Sequence, residues 1–249
     1  MISGAEASRI DRALKSVSGW VGEIIVVVNA EVTDGTDEIA RAHGAKIFRE
    51  PWRGFIAQKN CAAERATNPW LLNLDADEVV SHALADEIAI TVSGNGSAHA
   101  AYEFPRCTFY CGRWIRHGDW YPDRVCRLWK RGTANWSGEE PHARLEVRGE
   151  VGRLRSDLLH YSNESIARQL AKVSPYHEEF VKRRLASGRS AGAFEFTVRP
   201  GWRFVRAYLL RLGFLDGWQG FYIAALSSFS TLTRFALVRE AREQNRQSS

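Results

Sequence analysis

The first hundred residues predict an α/β fold with a mixed, mainly parallel sheet flanked by helices, and three observations carry that prediction. Short aliphatic runs, "EIIVVVN" (23–29), "AKIFRE" (45–50) and "WLLNL" (70–74), alternate with stretches of helical periodicity. The alternation is that of strand and crossover helix, which builds parallel sheets. Beyond residue 100 the text changes to aromatic and Arg-rich alternation, "AYEFPRCTFYCGRWIRHGDWYPDRVCRLWKR", which reads as antiparallel strands and loops.

Taken in order, "ASRIDRALKSV" (7–17) spaces Ile10, Ala13, Leu14 and Val17 at helical intervals ahead of the first β-branched run. "TDGTDEIARAHG" (33–44) gives a turn at Asp34-Gly35, a helix start at Thr36 with acids in its first turn, and a stop at Gly44. "GFIAQKNCAAERATN" (54–68) is a helix ended by an Asn-Pro break, and "HALADEIAI" (82–90) is another, capped by Asp77 or Ser81. In an open α/β sheet ligands sit at the carboxyl ends of the strands, so the residues just after "WLLNL" fall at a binding edge.

At 249 residues and 45% hydrophobic composition the chain can bury a sizeable core, and seven prolines and twenty glycines without a low-complexity tract predict no long linker. Cys61, Cys107, Cys111 and Cys126 form no CxxC pair and have no His at zinc-site spacing, so free thiols are expected. No basic-apolar-small pattern opens the sequence, which predicts a cytoplasmic, reducing setting. The net charge of +5 is concentrated in residues 199–249, where eight Arg face one Asp and two Glu. Those arginines sit among bulky apolar residues rather than on a polar face, which points away from nucleic acid and toward an anionic membrane surface.

The run "PWLLNLDADEVVS" (69–81) sets three carboxylates, Asp75, Asp77 and Glu78, against the end of an apolar strand. In extended backbone Asp75 and Asp77 share a face, with Ala76 pointing away. Two hard oxygen donors in that arrangement suit Mg2+ or Mn2+, with phosphate and water filling the remaining positions. The plainer reading makes them cap and turn residues before the next helix.

These residues carry a resemblance. "TDGTDEIARAHGAKIFREPWRGFIAQKNCAAERATNPWLLNLDADEVVS" resembles the family 2 glycosyltransferases of the GT-A fold, in particular the lipopolysaccharide core β-1,4-glucosyltransferase branch, and "GDWYPDRVCRLWKR", "PHARLEVRGEVGRL", "LLHYSNES" and "RFVRAYLLRLGFLDGWQGFYIAALSS" extend the likeness over nearly the full length. The resemblance implies a nucleotide-diphospho-sugar transferase domain over 1–198. It makes Asp75 and Asp77 the metal and diphosphate motif, and sets Gln58, Lys59 and Asn60 near the nucleotide together with Glu6, Asn29, Asp34 and Asp75. The donor it implies is a nucleotide-diphosphate sugar, a UDP-sugar, and the acceptor a lipid-linked saccharide.

The chain departs from the family's pattern at four places. "VNAEVTDGT" puts Asn29 where an Asp is usual, Ala5 replaces the Asn of the "NEE"-like turn while Glu6 is retained, and the first strand is expected to be only two or three residues long, with a start upstream of Met1 as one explanation. An inverting mechanism needs a carboxylate to take the acceptor's proton. The family's "HE" pair reads Pro141-His142-Ala143 here, so Asp123, Glu140 and His142 are the candidates.

Residues 199–249 are rich in Trp, Tyr, Phe and Leu and interrupted by Arg211, Asp216 and Arg234. The uninterrupted stretch from Gly217 to Thr233 is short for a bilayer span, and an amphipathic helix pair lying peripherally at the inner face of the cytoplasmic membrane is the expectation. Two other readings compete with a transferase. A sugar-phosphate nucleotidyltransferase would need a Gly-rich, Arg-bearing loop near the start, which "MISGAEAS" is not; a catalytically degenerate GT-A protein would bind a glycan or a membrane partner without turnover.

Overall fold

The computed structural model of the chain describes residues 1–94, 98–140, 142–162, 165–187 and 192–247. It divides into two units, Met1–Cys107 with Asp123–Tyr161, and Thr108–Pro122 with Ser162–Ser249. Among the described residues twelve strands are defined: β1 (Ile2–Ser3), β2 (Ile25–Asn29), β3 (Lys46–Glu50), β4 (Trp70–Leu72), β5 (Glu78–Val80), β6 (Ala101–Tyr110), β7 (Arg113–Ile115), β8 (Asp123–Lys130), β9 (Ala134–Glu139), β10 (His142–Val147), β11 (Val151–Arg153) and β12 (Leu158–His160). The helices are α1 (Ile10–Lys15), α2 (Thr36–Ala42), α3 (Phe55–Glu64), α4 (His82–Ser93), α5 (Ile166–Ala186), α6 (Ala193–Val205) and α7 (Gly217–Gln247).

In the first unit β1, β2 and β3 form a parallel sheet in that order. Val26, Val27 and Val28 are all buried, as a continuous β-branched run with both faces covered requires. Gly35 and Gly44, at φ +90° and +76°, bracket α2 with the left-handed backbone that glycine adopts without a Cβ penalty. Asp34 Oδ1 accepts from the Thr36 amide at 3.1 Å, fixing the start of that helix. At α4, Ser81 Oγ accepts from the Leu84 amide at 3.2 Å; of the two sequence-predicted caps, Ser81 takes the role.

A second sheet has the order β4-β8-β6-β12-β5, with β11 beside β6. Its β4–β8, β6–β8 and β5–β12 pairs are antiparallel, and β11 runs parallel to β6. The strands β1, β2 and β3 pair in parallel and β6 and β8, after residue 100, pair antiparallel, as the mixed sheet read from the sequence expects; β4, which the strand–helix alternation assigns to the parallel set, pairs antiparallel with β8 instead. An apolar run such as "WLLNL" encodes burial, not the direction of its neighbour, and β8 supplies that neighbour: Asn73 N donates to Arg127 O at 2.8 Å and Arg131 N to Pro69 O at 2.8 Å. Leu74, Leu84, Phe104, Leu128 and Leu158 form the core against α4. A largely apolar cavity of about 360 Å3 lies beside β4, lined by Ile24, Ala62, Leu72, Ala89 and Val92, with Lys59 on its wall. The β9–β10 hairpin forms its own two-stranded sheet.

In the second unit the end of β6 turns at Cys111-Gly112 and pairs back with β7, Thr108 opposite Ile115. Helices α5 and α6 pack on α7 around Phe180, Phe196, Phe235 and Val238. A π-helical turn, Arg206–Leu210, and a 3-10 turn, Gly213–Asp216, connect α6 to α7. At Gly220 a Cβ would stand 1.9 Å from the Gly213 carbonyl oxygen, so only glycine permits this approach. Asp216 is buried and accepts from the amides of Arg116 and His117 at 3.0 and 2.8 Å, tying the turn to the 108–122 segment. The stretch Gly213–Gln244 is long and apolar enough, by length and composition, to cross a membrane.

Candidate functional site

Strand β4 delivers Asn73 and Leu74 into the turn Asp75-Ala76-Asp77 that leads to β5. Leu74 and Ala76 are buried, which anchors the turn from below and leaves the Asp75 and Asp77 side chains 30% and 25% exposed. Asp75 is gripped from two sides. Lys59 Nζ donates to its Oδ1 at 3.0 Å and Arg127 NH2 to its Oδ2 at 2.7 Å. Lys59 comes from the buried face of α3, and its ammonium stands 4.5 Å from the centre of the Trp136 ring, over which Arg127 also lies at 5.4 Å.

Behind this pair sits Glu78, fully buried, which accepts from the Asp75 amide at 3.0 Å, from Arg106 at 3.2 Å and from Arg127 at 3.3 Å. Arg106 in turn donates twice to Asp123 Oδ2, at 3.0 and 2.6 Å. A continuous chain of alternating charge thus runs from Lys59 through Asp75, Arg127, Glu78 and Arg106 to Asp123. Charges taken this far out of water persist only when paired in this way.

Asp77 belongs to a looser set. Its Oδ2 stands 3.5 Å from His160 Nε2 and 3.7 Å from an Arg9 guanidinium nitrogen. Arg9 is itself held by Glu6, with Nε donating to Oε2 at 2.7 Å. The Glu6 amide donates to Thr36 Oγ1 at 2.9 Å and the Ala7 amide to Asp34 Oδ2 at 3.0 Å, so the 4–9 turn is pinned to the start of α2.

The protonation states follow from these neighbours. Burial pushes the Asp75 carboxyl up, but Arg127 and then Lys59 outweigh it and hold it well below the usual carboxylate range. Burial likewise raises Asp77, and the His160 hydrogen bond, with a smaller contribution from Arg9, brings it below its ordinary value. Lys59 is lowered, first by burial and then by Arg127, against the opposing pull of Asp75. For Arg127 burial acts downward, and Glu78 and Asp75 overcome it to raise the guanidinium above its already high value.

The other sequence-predicted residues separate into groups. Gln58 is buried, with Nε2 donating to Pro51 O at 3.3 Å and Oε1 lacking a partner among the described residues. Asn60 clamps the Trp136 backbone, donating to its carbonyl and accepting from its amide, both at 2.9 Å. Asn29 ends β2 and accepts from the Glu31 amide at 3.3 Å. Glu140 Oε1 accepts from the Ile56 amide at 2.8 Å, a carboxylate at the start of α3; Gly54 lets it in, since a Cβ there would stand 2.7 Å from that oxygen. The side chain of His142 lies outside the described residues.

Lys59 is a buried cation held against Asp75. Six participants escaped the sequence reading as site residues: Arg9, Glu78, Arg106, Arg127, Trp136 and His160. Arg127 left a signal, a cation at a core-facing register inside the apolar "VCRLW"; His160 and Arg9 left none, since their placement depends on β12 and the 4–9 turn meeting at the strand ends.

For a divalent ion the donor set is uneven. Both Asp75 oxygens already receive cationic hydrogen bonds, whereas Asp77 Oδ1 has no partner among the described residues. Among those residues no three His, Cys, Asp or Glu side chains converge. Hard oxygens from one or two carboxylates, completed by substrate phosphate and water, are nonetheless the usual pattern for Mg2+, so the chemistry of the site fits such an ion with Asp77 as its lead ligand.

The Glycosyl transferase family 2 model matches residues 3–145. The chain is 32% identical to an uncharacterized glycosyltransferase of Rickettsia felis over 97% of its own length and 88% of that protein. It is similarly related, at 32% identity over 96% and 85% of the two chains, to an uncharacterized glycosyltransferase of Rickettsia typhi. A lipopolysaccharide core biosynthesis glycosyltransferase, LpsC of Rhizobium meliloti, is 25% identical over 86% of this chain and 84% of its own. Among solved structures, that of S. aureus TarS 1-349 in complex with UDP-GlcNAc superposes with a TM-score of 0.52 at 12% identity, covering 98% of this chain and 90% of that one, a likeness of fold. The chain is a glycosyltransferase, and it belongs to glycosyl transferase family 2, whose members move a sugar from a nucleotide-diphosphate donor to a glycan or lipid-linked acceptor.

Proposed function

We propose that the protein is an inverting, metal-dependent hexosyltransferase that uses a UDP-sugar and glycosylates a lipid-linked saccharide of the lipopolysaccharide core type. The observation that carries this reading is that Asp75 holds a preorganised cation, Lys59, while Asp77, two residues on, keeps a partly exposed carboxylate. A diphosphate needs both: positive charge to offset its own, and an oxygen ligand for its counter-ion. When bound, Mg2+ or Mn2+ would act as a Lewis acid on the departing diphosphate, with Asp77 and the diphosphate as its ligands.

The chain's own residues supply the rest. Asp75 keeps Lys59 and Arg127 oriented so that neither needs to reorganise when phosphate arrives. Arg9, held by Glu6, lies close enough to Asp77 to meet the same phosphate. Asn29 and Asp34 flank the nucleotide side at the ends of β2 and of the following turn, and Gln58 Oε1 offers a buried acceptor to it. The proton of the attacking hydroxyl passes to Asp123 or Glu140.

Kinship with LpsC supports the lipopolysaccharide acceptor. The second unit supports work at a membrane, since Trp202, Leu209, Leu210, Phe214, Trp218 and Phe221 are all exposed beside arginines that suit lipid headgroups. Peripheral attachment at the inner face of the cytoplasmic membrane holds the enzyme where such an acceptor is presented.

Turnover of UDP-sugars in the presence of Mn2+, measured for the full chain with Asp123→Asn and Glu140→Gln alongside, tests the reading. One of the two variants is expected to lose roughly 100-fold or more in kcat with little change in UDP affinity, as removal of a general base does. Hydrolysis and transfer absent from every UDP-sugar, with UDP still bound, would turn the reading to a degenerate, glycan-binding member of the family.

A further inference from the structure

The second unit holds a cluster of arginines that the transferase chemistry does not use. The guanidinium carbons of Arg184, Arg199 and Arg234 lie 5.7, 5.7 and 5.3 Å from the centre of one buried ring, Phe235, and Arg234 also lies 4.8 Å from the centre of the Phe180 ring. They converge from three different helices, α5, α6 and α7. Arg203, one turn after Arg199 on α6, adds a fourth.

Among the described residues carboxylates are scarce here. Arg184 is 3.4 Å from Glu195, while Asp119 is shared by Arg203, Arg206 and Arg211 at 3.5, 2.9 and 3.2 Å. Among the described residues no acid pairs with Arg199 or Arg234, and the buried Nε atoms of Arg203 and Arg234 have no acceptor. His177, buried and 2.8 Å from Ser230 Oγ, adds no negative charge; burial and then Arg234 depress its proton affinity. Burial, followed by Arg203, Arg199 and Arg184 in that order, also lowers Arg234 from its ordinary value.

Guanidinium groups do not shed their protons in proteins, so the repulsion within such a cluster can be relieved only by an anion. Phenyl faces offset a small part of it. A phosphate group suits the vacancy in charge best, because its several oxygens accept from several guanidinium forks at once, where a single carboxylate satisfies one. Arg199 is exposed and provides the entrance.

We propose that Arg184, Arg199, Arg203 and Arg234, gathered around Phe235, form a binding site for a phosphate group separate from the donor site of the first unit. The phosphate comes either from a lipid headgroup or from a soluble phosphate compound.

Thermal unfolding and calorimetric titration of the full chain with inorganic phosphate in EDTA, where metal-dependent donor binding is silent, test this site. Cosedimentation with phosphatidylcholine vesicles with and without phosphatidic acid forms the second arm. Wild type is expected to gain in melting temperature with phosphate, or to bind phosphatidic acid vesicles in preference to plain ones; the arm that responds identifies the source. Arg199→Gln/Arg234→Gln is expected to weaken that response at least tenfold, to melt no lower than wild type without phosphate because repulsion is relieved, and to bind UDP with Mn2+ as wild type does. Arg199→Lys/Arg234→Lys should retain much of the response. No response in either arm, or a glutamine variant that responds like wild type, overturns the proposal. So does a glutamine variant that melts lower in phosphate-free buffer, which would make the arginines packing elements. Loss of UDP binding by wild type would count against the donor site and leave this one standing.

Discussion

Arginine is used in opposite ways in the two units. In the first, Arg106 and Arg127 each touch two carboxylates, and the chain of charges from Lys59 to Asp123 alternates in sign without a break. In the second, Arg199 and Arg234 share a phenyl ring and lack a carboxylate partner among the described residues, and Asp119 alone serves three guanidiniums. The first arrangement is complete in itself and holds a shape for a ligand to enter. The second is incomplete and gains stability from an anion. Burial of similar groups therefore teaches different things depending on whether opposite charge is built in.

Acid should separate the units most strongly. Asp75 lies below the carboxylate range, and Asp37, hydrogen-bonded by Arg49, is lowered to about 2. A depressed carboxyl contributes stability that is fully present above its unfolded value near pH ~4 and is lost as pH falls through its folded value. His177 in the second unit is also depressed, so its contribution is present above about pH 6.5 and declines below it as the unfolded chain takes up the proton. The buried Met1 ammonium of the first unit is likewise depressed, to about 6 and first by burial, so both units weaken in mild acid. A probe in the first unit should show a further loss between about pH 4 and about pH 2 that a probe in the second does not, and equal losses there would contradict the contrast.

Breaking the alternation should be costly next. Glu78→Ala leaves Arg106 and Arg127 without their shared buried partner, and a loss of about 3–5 kcal/mol in unfolding free energy is expected from denaturant titration. A change within the surface range, under about 0.5 kcal/mol, would mean that the network is not holding the turn. Asn60→Ala is smaller. It removes the two hydrogen bonds to the Trp136 backbone and should cost about 1–3 kcal/mol, with UDP affinity falling only as Lys59 and Trp136 lose their register.

Much of this was legible before the fold was known. The strand "IVVVN", the glycine-bounded α2 and the Ser81 cap follow from periodicity and local hydrogen bonding, which act within a few residues. The acidic turn after "WLLNL" was legible for the same reason: carboxylates placed directly after a buried strand have few structural uses. What stayed hidden depends on partners distant in sequence. Asp75 meets Lys59 sixteen residues away and Arg127 fifty-two away, so its role as the hub of a charge network is visible only once α3 and β8 are in place. Asn60 and Glu140 entered the sequence reading through the family resemblance, as a nucleotide neighbour and a candidate base; that Asn60 clamps the Trp136 backbone and Glu140 meets the first turn of α3 depends on contacts 76 and 84 residues apart. The arginine cluster was visible as a basic excess, but its convergence on Phe235 required three helices.

The proposed function requires Asp77 to be the oxygen ligand of the ion that accompanies the donor diphosphate. Calorimetric titration of UDP with Mn2+ into wild type and Asp77→Asn measures this directly. Wild type should bind UDP in a Mn2+-dependent way and Asp77→Asn should not, at unchanged melting temperature; equal UDP affinity in the two proteins would contradict the assignment.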